Sequence, residues 1–254
     1  GWEDILPSAD LKGWYRVPVP PTGQLGREQW HVDVDRKLLI CDGDGGHDML
    51  LFDREIGDAI FHLEFRYTKI EGKPGYNSGA YVRNSRNGAV WHQAQFGDAK
   101  DGFLFGQTAG ADDQKKSFNL SKQVTDMRVK PAGEWNTLEI SAVGKALTLW
   151  VNGAITCQFA ECAREKGFLG LEGEGYRIEF RDLKVKSVRW PVALRCSGLL
   201  PRAVVTGAGA PSLGIGETPD AVGVFHHPNG GPIGRETQVR VHEHVVASPA
   251  LPQH

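Results

Sequence analysis

The chain has 254 residues, 40% hydrophobic and 24% charged, enough for one large all-β domain or one domain with an appendage. Its 29 basic residues against 31 acidic ones leave a net charge of −2, which argues against nucleic acid or an anionic membrane as a partner. No apolar run approaches the roughly 20 residues of a membrane-spanning helix, so no membrane insertion is expected.

The chain opens at Gly1-Trp2-Glu3, with neither an initiator methionine nor a signal peptide, as a mature or trimmed protein would. WHVDVDRKLLI (30–40) and MLLF (49–52) read as two strands joined by CDGDGG (41–46). Within that link, Asp42-Gly-Asp44 resembles a fragment of a calcium loop, but the later ligands and the closing Glu are missing, so a plain turn is expected. FHLEFRYT (61–68) alternates strictly. Phe61, Leu63, Phe65 and Tyr67 fall on one face, and His62, Glu64 and Arg66 on the other.

NSGAYVRNSRNGAVWHQAQFGD (77–98) reads as a hairpin around Ser85-Arg86-Asn87-Gly88. Its alternation places Ala80, Val82, Ala94 and Phe96 toward a core. Asn77, Tyr81, Arg83, Trp91, Gln93 and Gln95 fall on the opposite face. Further strands follow at WNTLEIS (135–141) and LTLWVNG (147–153), the latter ending in an Asn-Gly turn signal. FLGLE (168–172) and RIEFRDLKVK (177–186) close the set. No segment up to Arg189 keeps a helical period. Many short strands with Gly-rich turns predict an all-β, two-sheet jelly-roll sandwich over 1–189.

Composition changes after Trp190. Residues 191–254 carry eight of the fourteen prolines and five of the nine histidines, no Lys, Trp or Tyr, and one Phe, Phe225. So few large apolar groups cannot build a core, and 190–254 is expected to be a poorly ordered tail outside the sandwich. An unrelated extension or a shifted reading frame would both give such a switch. His226-His227 and His242-Glu-His244 in this tail offer metal-ligand types, but in a disordered segment they read as solvated side chains. Cys41, Cys157, Cys162 and Cys196 match no zinc spacing and read as buried free thiols, with a disulfide as the alternative.

The polar face of the hairpin is the feature that asks for a function. Amides and a guanidinium are planar donors and acceptors suited to sugar hydroxyls, and aromatic rings stack on the apolar face of a sugar. The alternative is a solvated sheet face with Arg83 in a surface ion pair. Glu64 is a candidate acid or base, or else a partner of Arg66 or Arg83. Glu172 and Glu174, in GLEGEG, lie among glycines that would let a ligand approach. On a strand they would share a face about 7 Å apart, and otherwise they sit in an exposed turn. Two carboxylates suit glycosidic acid/base work. The chain lacks a Gly-x-Ser-x-Gly elbow, a phosphate loop and a His-Glu-x-x-His zinc motif.

Taken in order, DLKGW (10–14), FDREIGDAIFHLEFR (52–66), NSGAYVR (77–83), GEWNTLEI (133–140), LWVNG (149–153) and GFLGLEGEGYRIEFRDLKVK (167–186) resemble the 3-keto-disaccharide hydrolase domain family. The resemblance covers about residues 4 to 187. It implies a concanavalin A-like sandwich, a sugar or glycoside ligand, and a secreted or periplasmic protein. It also implies cleavage of glycosides already oxidised at C3, where the ketone acidifies C2–H, a base removes that proton, and the C1 substituent leaves. The activity expected is thus that of a glycoside hydrolase or lyase. A non-catalytic sugar-binding domain and a two-carboxylate glycosidase are the rivals.

Carried over as binding positions are Asn77, Arg83, Gln95 and Glu172. Arg83, Gln93 and Gln95 are the expected donors, and Glu172 or Glu64 the expected base, with Tyr81, Trp91 and Glu174 lining the site. The resemblance fixes no cofactor, and a divalent metal is one way to polarise the C3 oxygen. Two motifs depart from the family. Many members have Glu-x-Gln where this chain has Gln93-Ala94-Gln95, and many have LQGHG where it has LEGEG (171–175). If a family Glu or His carries the chemistry, its role here is either lost, and activity with it, or moved to Glu172, Glu174, Glu64 or His92.

Overall fold

The structure, a computed structural model, describes residues 1–97, 101–110 and 114–188. The segment expected to be a tail, with Cys196 and its histidines, lies outside the described residues. Described are fifteen strands and one turn of 3-10 helix, Ser121–Gln123. In chain order the strands are β1 Glu3–Asp4, β2 Trp14–Pro18, β3 Trp30–Asp33, β4 Leu38–Cys41, β5 Asp48–Phe52, β6 Ala59–Tyr67, β7 Gly79–Asn84 and β8 Trp91–Gln95. They continue as β9 Phe103–Ala109, β10 Lys115–Asn119, β11 Asn136–Val143, β12 Ala146–Val151, β13 Ala154–Phe159, β14 Phe168–Gly173 and β15 Ile178–Ser187.

Every pairing is antiparallel. One sheet runs β13-β12-β11-β6-β15-β4-β3, with β1 added alongside β15. The other runs β10-β9-β8-β7-β14-β5-β2. This is the two-sheet sandwich that the alternation predicts. Its core is the set of inward positions: Leu39, Phe61, Leu63 and Phe65 from the first sheet against Ala80, Val82, Leu104 and Leu171 from the second. Phe65 stacks on Phe96 at 4.0 Å between ring centroids and ties the two layers together. At the Asn-Gly signal, Asn152 and Gly153 both take positive φ, 48° and 86°, and close the β12–β13 hairpin as a primed turn.

Residues 30–40 are not one strand. The chain reverses over 34–37, with Lys37 at φ 52°, so β3 and β4 form a hairpin. The run VDVD keeps the period of a strand through the reversal, and for that reason the turn does not show in the sequence. Asp42 pairs with Arg177 and Asp44 with Arg27, so the calcium-like fragment is a salt-bridged turn. Cys41, Cys157 and Cys162 are buried free thiols.

Candidate functional site

The second sheet carries a cleft of about 350 Å³ on the face turned away from the core. Five strands, β5, β7, β8, β9 and β14, shape it with the loops beside them, and their register places the polar groups. Glu172 lies opposite Met49 on β5 and Gly173 opposite Asp48, so the next pair along is Glu174 and His47. On the other side of β14, Leu171 faces Ala80, and across β7 Tyr81 faces Gln93 and Gly79 faces Gln95. The period of two therefore gathers His47, Asn77, Tyr81, Gln93, Gln95, Glu172 and Glu174 in one concavity, with Trp91 and Phe105 at its side.

Glu172 is the hub. Its side chain is 5% exposed. Oε1 accepts the Tyr81 hydroxyl at 2.7 Å and stands 2.9 Å from His47 Nε2, while Oε2 accepts Gln93 Nε2 at 2.5 Å. The amides then run as a chain of donors. Gln93 Nε2 also donates to Gln95 Oε1 at 3.2 Å, Gln95 donates to Asn77 Oδ1, and Asn77 Nδ2 donates to Glu174 Oε2 at 2.5 Å. The hairpin's polar face is thus a belt linking two carboxylates, closed by His47, whose Nε2 lies 3.8 Å from Glu174 Oε2. Gly79 makes room for it: a Cβ there would sit 2.1 Å from Gln93 Nε2.

The electrostatics follow from this packing. Burial alone would lower the His47 pKa, but the hydrogen bond to Glu172 and the charges of Glu172, Glu174 and Asp48 outweigh it, and the net direction is up. Glu174 is raised by burial and by the neighbouring charge of Glu172, against the lowering effect of His47 and Asn77. Burial and then Glu172 hold the Tyr81 phenol well above its usual range, so it stays a donor. Asp48 anchors β5 from the other face, accepting Trp30 Nε1 and Gln29 Nε2, each at 2.9 Å, and Arg16 Nε at 2.6 Å.

His47, Glu172 and Glu174 also form a potential cation site, with one ligand atom from each within 4.8 Å of the others. One imidazole and two carboxylates suit a divalent first-row metal, and Glu172 would have to share oxygens already bonded to Tyr81 and Gln93.

Two of the three expected catalytic residues are elsewhere. Arg83 does not share the cleft face. Between Tyr81 and Asn84, β7 spends one residue more than β14 does between Gly170 and Phe168. This bulge falls where Arg83 takes φ 55°, and it reverses the alternation. The Arg83 side chain turns inward instead, 1% exposed, and bonds Asp58 Oδ1 at 2.8 Å, Ala142 O at 3.2 Å and Arg164 O at 2.5 Å.

Glu64 lies on the outer face of the opposite sheet and pairs with Arg181 at 2.6 Å. His62, on the same outer face, bonds Glu139 and Asp182. His92 faces the interior with Nε2 3.5 Å from Cys162 Sγ, and burial pushes its pKa down to about 4. Of the expected site, Asn77, Tyr81, Trp91, Gln93, Gln95, Glu172 and Glu174 do meet. Sequence reasoning missed His47. The signal available was its place two residues before Met49, in phase with the strand's outward positions.

The family whose model matches is the 3-keto-alpha-glucoside-1,2-lyase-like domain, over residues 1–186. The chain belongs to that family. No curated protein matches it. Among solved structures, it resembles a candidate glycosyl hydrolase from Parabacteroides distasonis at 16% identity and a TM-score of 0.52, covering 74% of this chain and 100% of that one. A second candidate glycosyl hydrolase from the same organism aligns at 14% identity and 0.52, over 74% and 94%. The carbohydrate-binding module CBM66 from Bacillus subtilis aligns at 13% and 0.50, over 69% and 96%. At these identities the likeness is one of fold: a jelly roll shared with carbohydrate-active and carbohydrate-binding proteins.

Proposed function

We propose that the protein cleaves 3-keto-glucosides by elimination at C1 and C2. The reading is carried by His47, Glu172 and Glu174 meeting at one point of an amide-lined cleft. The family's description supports the substrate class.

Glu174 is the base. It is the more exposed of the two carboxylates, 37% against 5%, and its raised pKa suits proton abstraction. It takes the proton from C2. The C–H electrons move onto the C3 oxygen, then return to form the C1–C2 double bond as the C1–O bond breaks. His47, whose protonated form the hydrogen bond and charge of Glu172 favour, supplies the proton to the departing oxygen. Glu172 is a positioning residue, since both its oxygens are engaged by the protein. The product is a 3-keto-glycal. Addition of water across its double bond gives net hydrolysis. A divalent cation held by the same three groups would instead polarise the C3 oxygen itself, and it would need a neutral His47 that could not then serve as the acid.

The arrangement speaks against a two-carboxylate glycosidase, whose carboxyl groups flank the bond from opposite sides about 5 to 10 Å apart. Glu172 and Glu174 lie two residues apart on one stretch of chain, around one imidazole. The test is turnover of 3-keto and unoxidised glucosides side by side, with and without a chelator. Release of the C1 alcohol from the 3-keto substrate alone is expected. Equal cleavage of the unoxidised glucoside would overturn the mechanism, and sugar binding without cleavage would make the protein a binding module.

A further inference from the structure

The cleft is divided by polarity, and the division follows the strands. On β8 the outward positions are Trp91, Gln93 and Gln95, so indole and distal amide stand about 13 Å apart. The amide end adjoins His47, Asn77 and Glu174. The indole end meets Phe105, with ring centroids 4.9 Å apart and planes at 82°. It continues to Met49, which faces Glu172 across the β5–β14 pair, while Val19, Pro20 and Pro21 form a wall beside His47, whose carbonyl accepts Val19 N at 3.0 Å. Beneath lies a separate apolar cluster, Val17, Met49, Leu51 and Tyr81, with Trp91 packed against it. This cluster belongs to the outward face of the sheet and not to the inter-sheet core, and its Met49 and Tyr81 reach the cleft wall.

From this we infer that the indole end is the leaving-group subsite, and that it takes an apolar, aromatic aglycone and not a second sugar. The inference rests on the function proposed above. The oxidised glucose ring, with hydroxyls to satisfy, belongs beside the amides and carboxylates. Its C1 substituent then extends toward Trp91 and Phe105. A second sugar could stack its apolar face on one ring, but most of its hydroxyls would lose water against two rings and a thioether and gain few partners in return. An aryl group loses little water and can pack against both rings and the thioether of Met49. A cavity of about 350 Å³ is within the range that holds drug-sized ligands, so there is room beyond one ring.

The experiment compares the 3-keto derivatives of 2-phenylethyl α-glucoside, methyl α-glucoside and an α-linked glucose disaccharide. Phenylethanol and methanol are both simple alcohols, so leaving-group acidity is nearly matched. We expect kcat/KM for the phenylethyl substrate to exceed that for the other two by about tenfold. Trp91→Ala and Phe105→Ala should each shrink that preference toward one. A disaccharide turned over as well as the phenylethyl glucoside would overturn the inference. So would a Trp91→Ala protein whose activity falls by the same factor on all three, since the indole would then stack on the reacting sugar. If no 3-keto substrate is cleaved, the proposed function fails, and calorimetry with the two unoxidised glucosides still decides the subsite. Tighter phenylethyl glucoside binding that Trp91→Ala abolishes supports it, and equal affinity for both rejects it.

Discussion

The Tyr81 hydroxyl and His47 Nε2 converge on the same oxygen of Glu172, at 2.7 and 2.9 Å. A carboxylate gripped this way orients its neighbours better than it abstracts a proton, and Glu172→Gln tests that division of labour. The amide would set its NH2 against Gln93 Nε2 or against Tyr81 and His47, leaving a donor facing a donor. The expected cost is about 1–3 kcal/mol, read as a Tm lower by several degrees. Glu174→Gln, on the more exposed group, should keep the wild-type Tm and lose about 100-fold or more in kcat. Wild-type stability with abolished turnover in Glu172→Gln would make Glu172 the base.

The pH profile follows from two raised pKa values. Glu174 must be deprotonated to act as base, so kcat/KM should fall as pH drops through a pKa above the ordinary 4.5. His47 must be protonated to act as acid, so activity should fall again as pH rises through a pKa above the ordinary 6.5. The expected curve is a bell with both limbs displaced upward. Glu174→Gln removes one of the charges that raise His47, so the alkaline limb of its residual activity should move down. An alkaline limb that stays in place would show that His47 is not the group titrating there.

Gly79→Ala tests the amide belt without touching any of its members. The new Cβ would lie 2.6 Å from Gln93 Cγ as well as 2.1 Å from Nε2, so Gln93 must leave Glu172. The expected result is loss of kcat/KM by about tenfold or more, with the fold retained by circular dichroism. A crystal structure of the variant with Gln93 still on Glu172 would refute the account.

What could be read in advance was periodicity. Phe61, Leu63 and Phe65 against Ala80, Val82 and Phe96 give the inner faces, and with them the sandwich. The same rule places Tyr81, Gln93 and Gln95 together, because β7 and β8 pair in simple register there. It fails at Arg83, where one extra residue inverts the faces, and no glycine or proline marks the bulge in the sequence. It also cannot tell one sheet's outer face from the other's. Glu64 has the phase of an exposed strand residue, and only the strand order β11-β6-β15 reveals that it looks away from the cleft. His47 escaped because it precedes its strand and joins Glu172 across 125 residues of sequence.

Arg83 supplies the sharpest contrast between the alternation and the structure. On the cleft face it would be a donor to the substrate, and Arg83→Ala would abolish turnover at little cost in stability. In the interior it joins the two sheets, since its guanidinium on β7 bonds Ala142 O on β11 and the Asp58 carboxylate. Removing it takes a donor from the Ala142 and Arg164 carbonyls and leaves Asp58, its side chain 27% exposed, without its ion-pair partner. Breaking a fully buried pair costs about 3–5 kcal/mol, and the partial exposure of Asp58 brings the expectation to about 2–3 kcal/mol by solvent screening. For a domain of this length that is a Tm lower by about 4–12 °C. Arg83→Lys keeps the charge but not the fork of donors, so it should recover only part of the loss. The folded fraction of either variant should cleave a 3-keto-glucoside with kcat within about threefold of wild type, because no catalytic group contacts Arg83. A stable Arg83→Ala protein that has lost turnover would return the guanidinium to the active site and overturn the inward orientation.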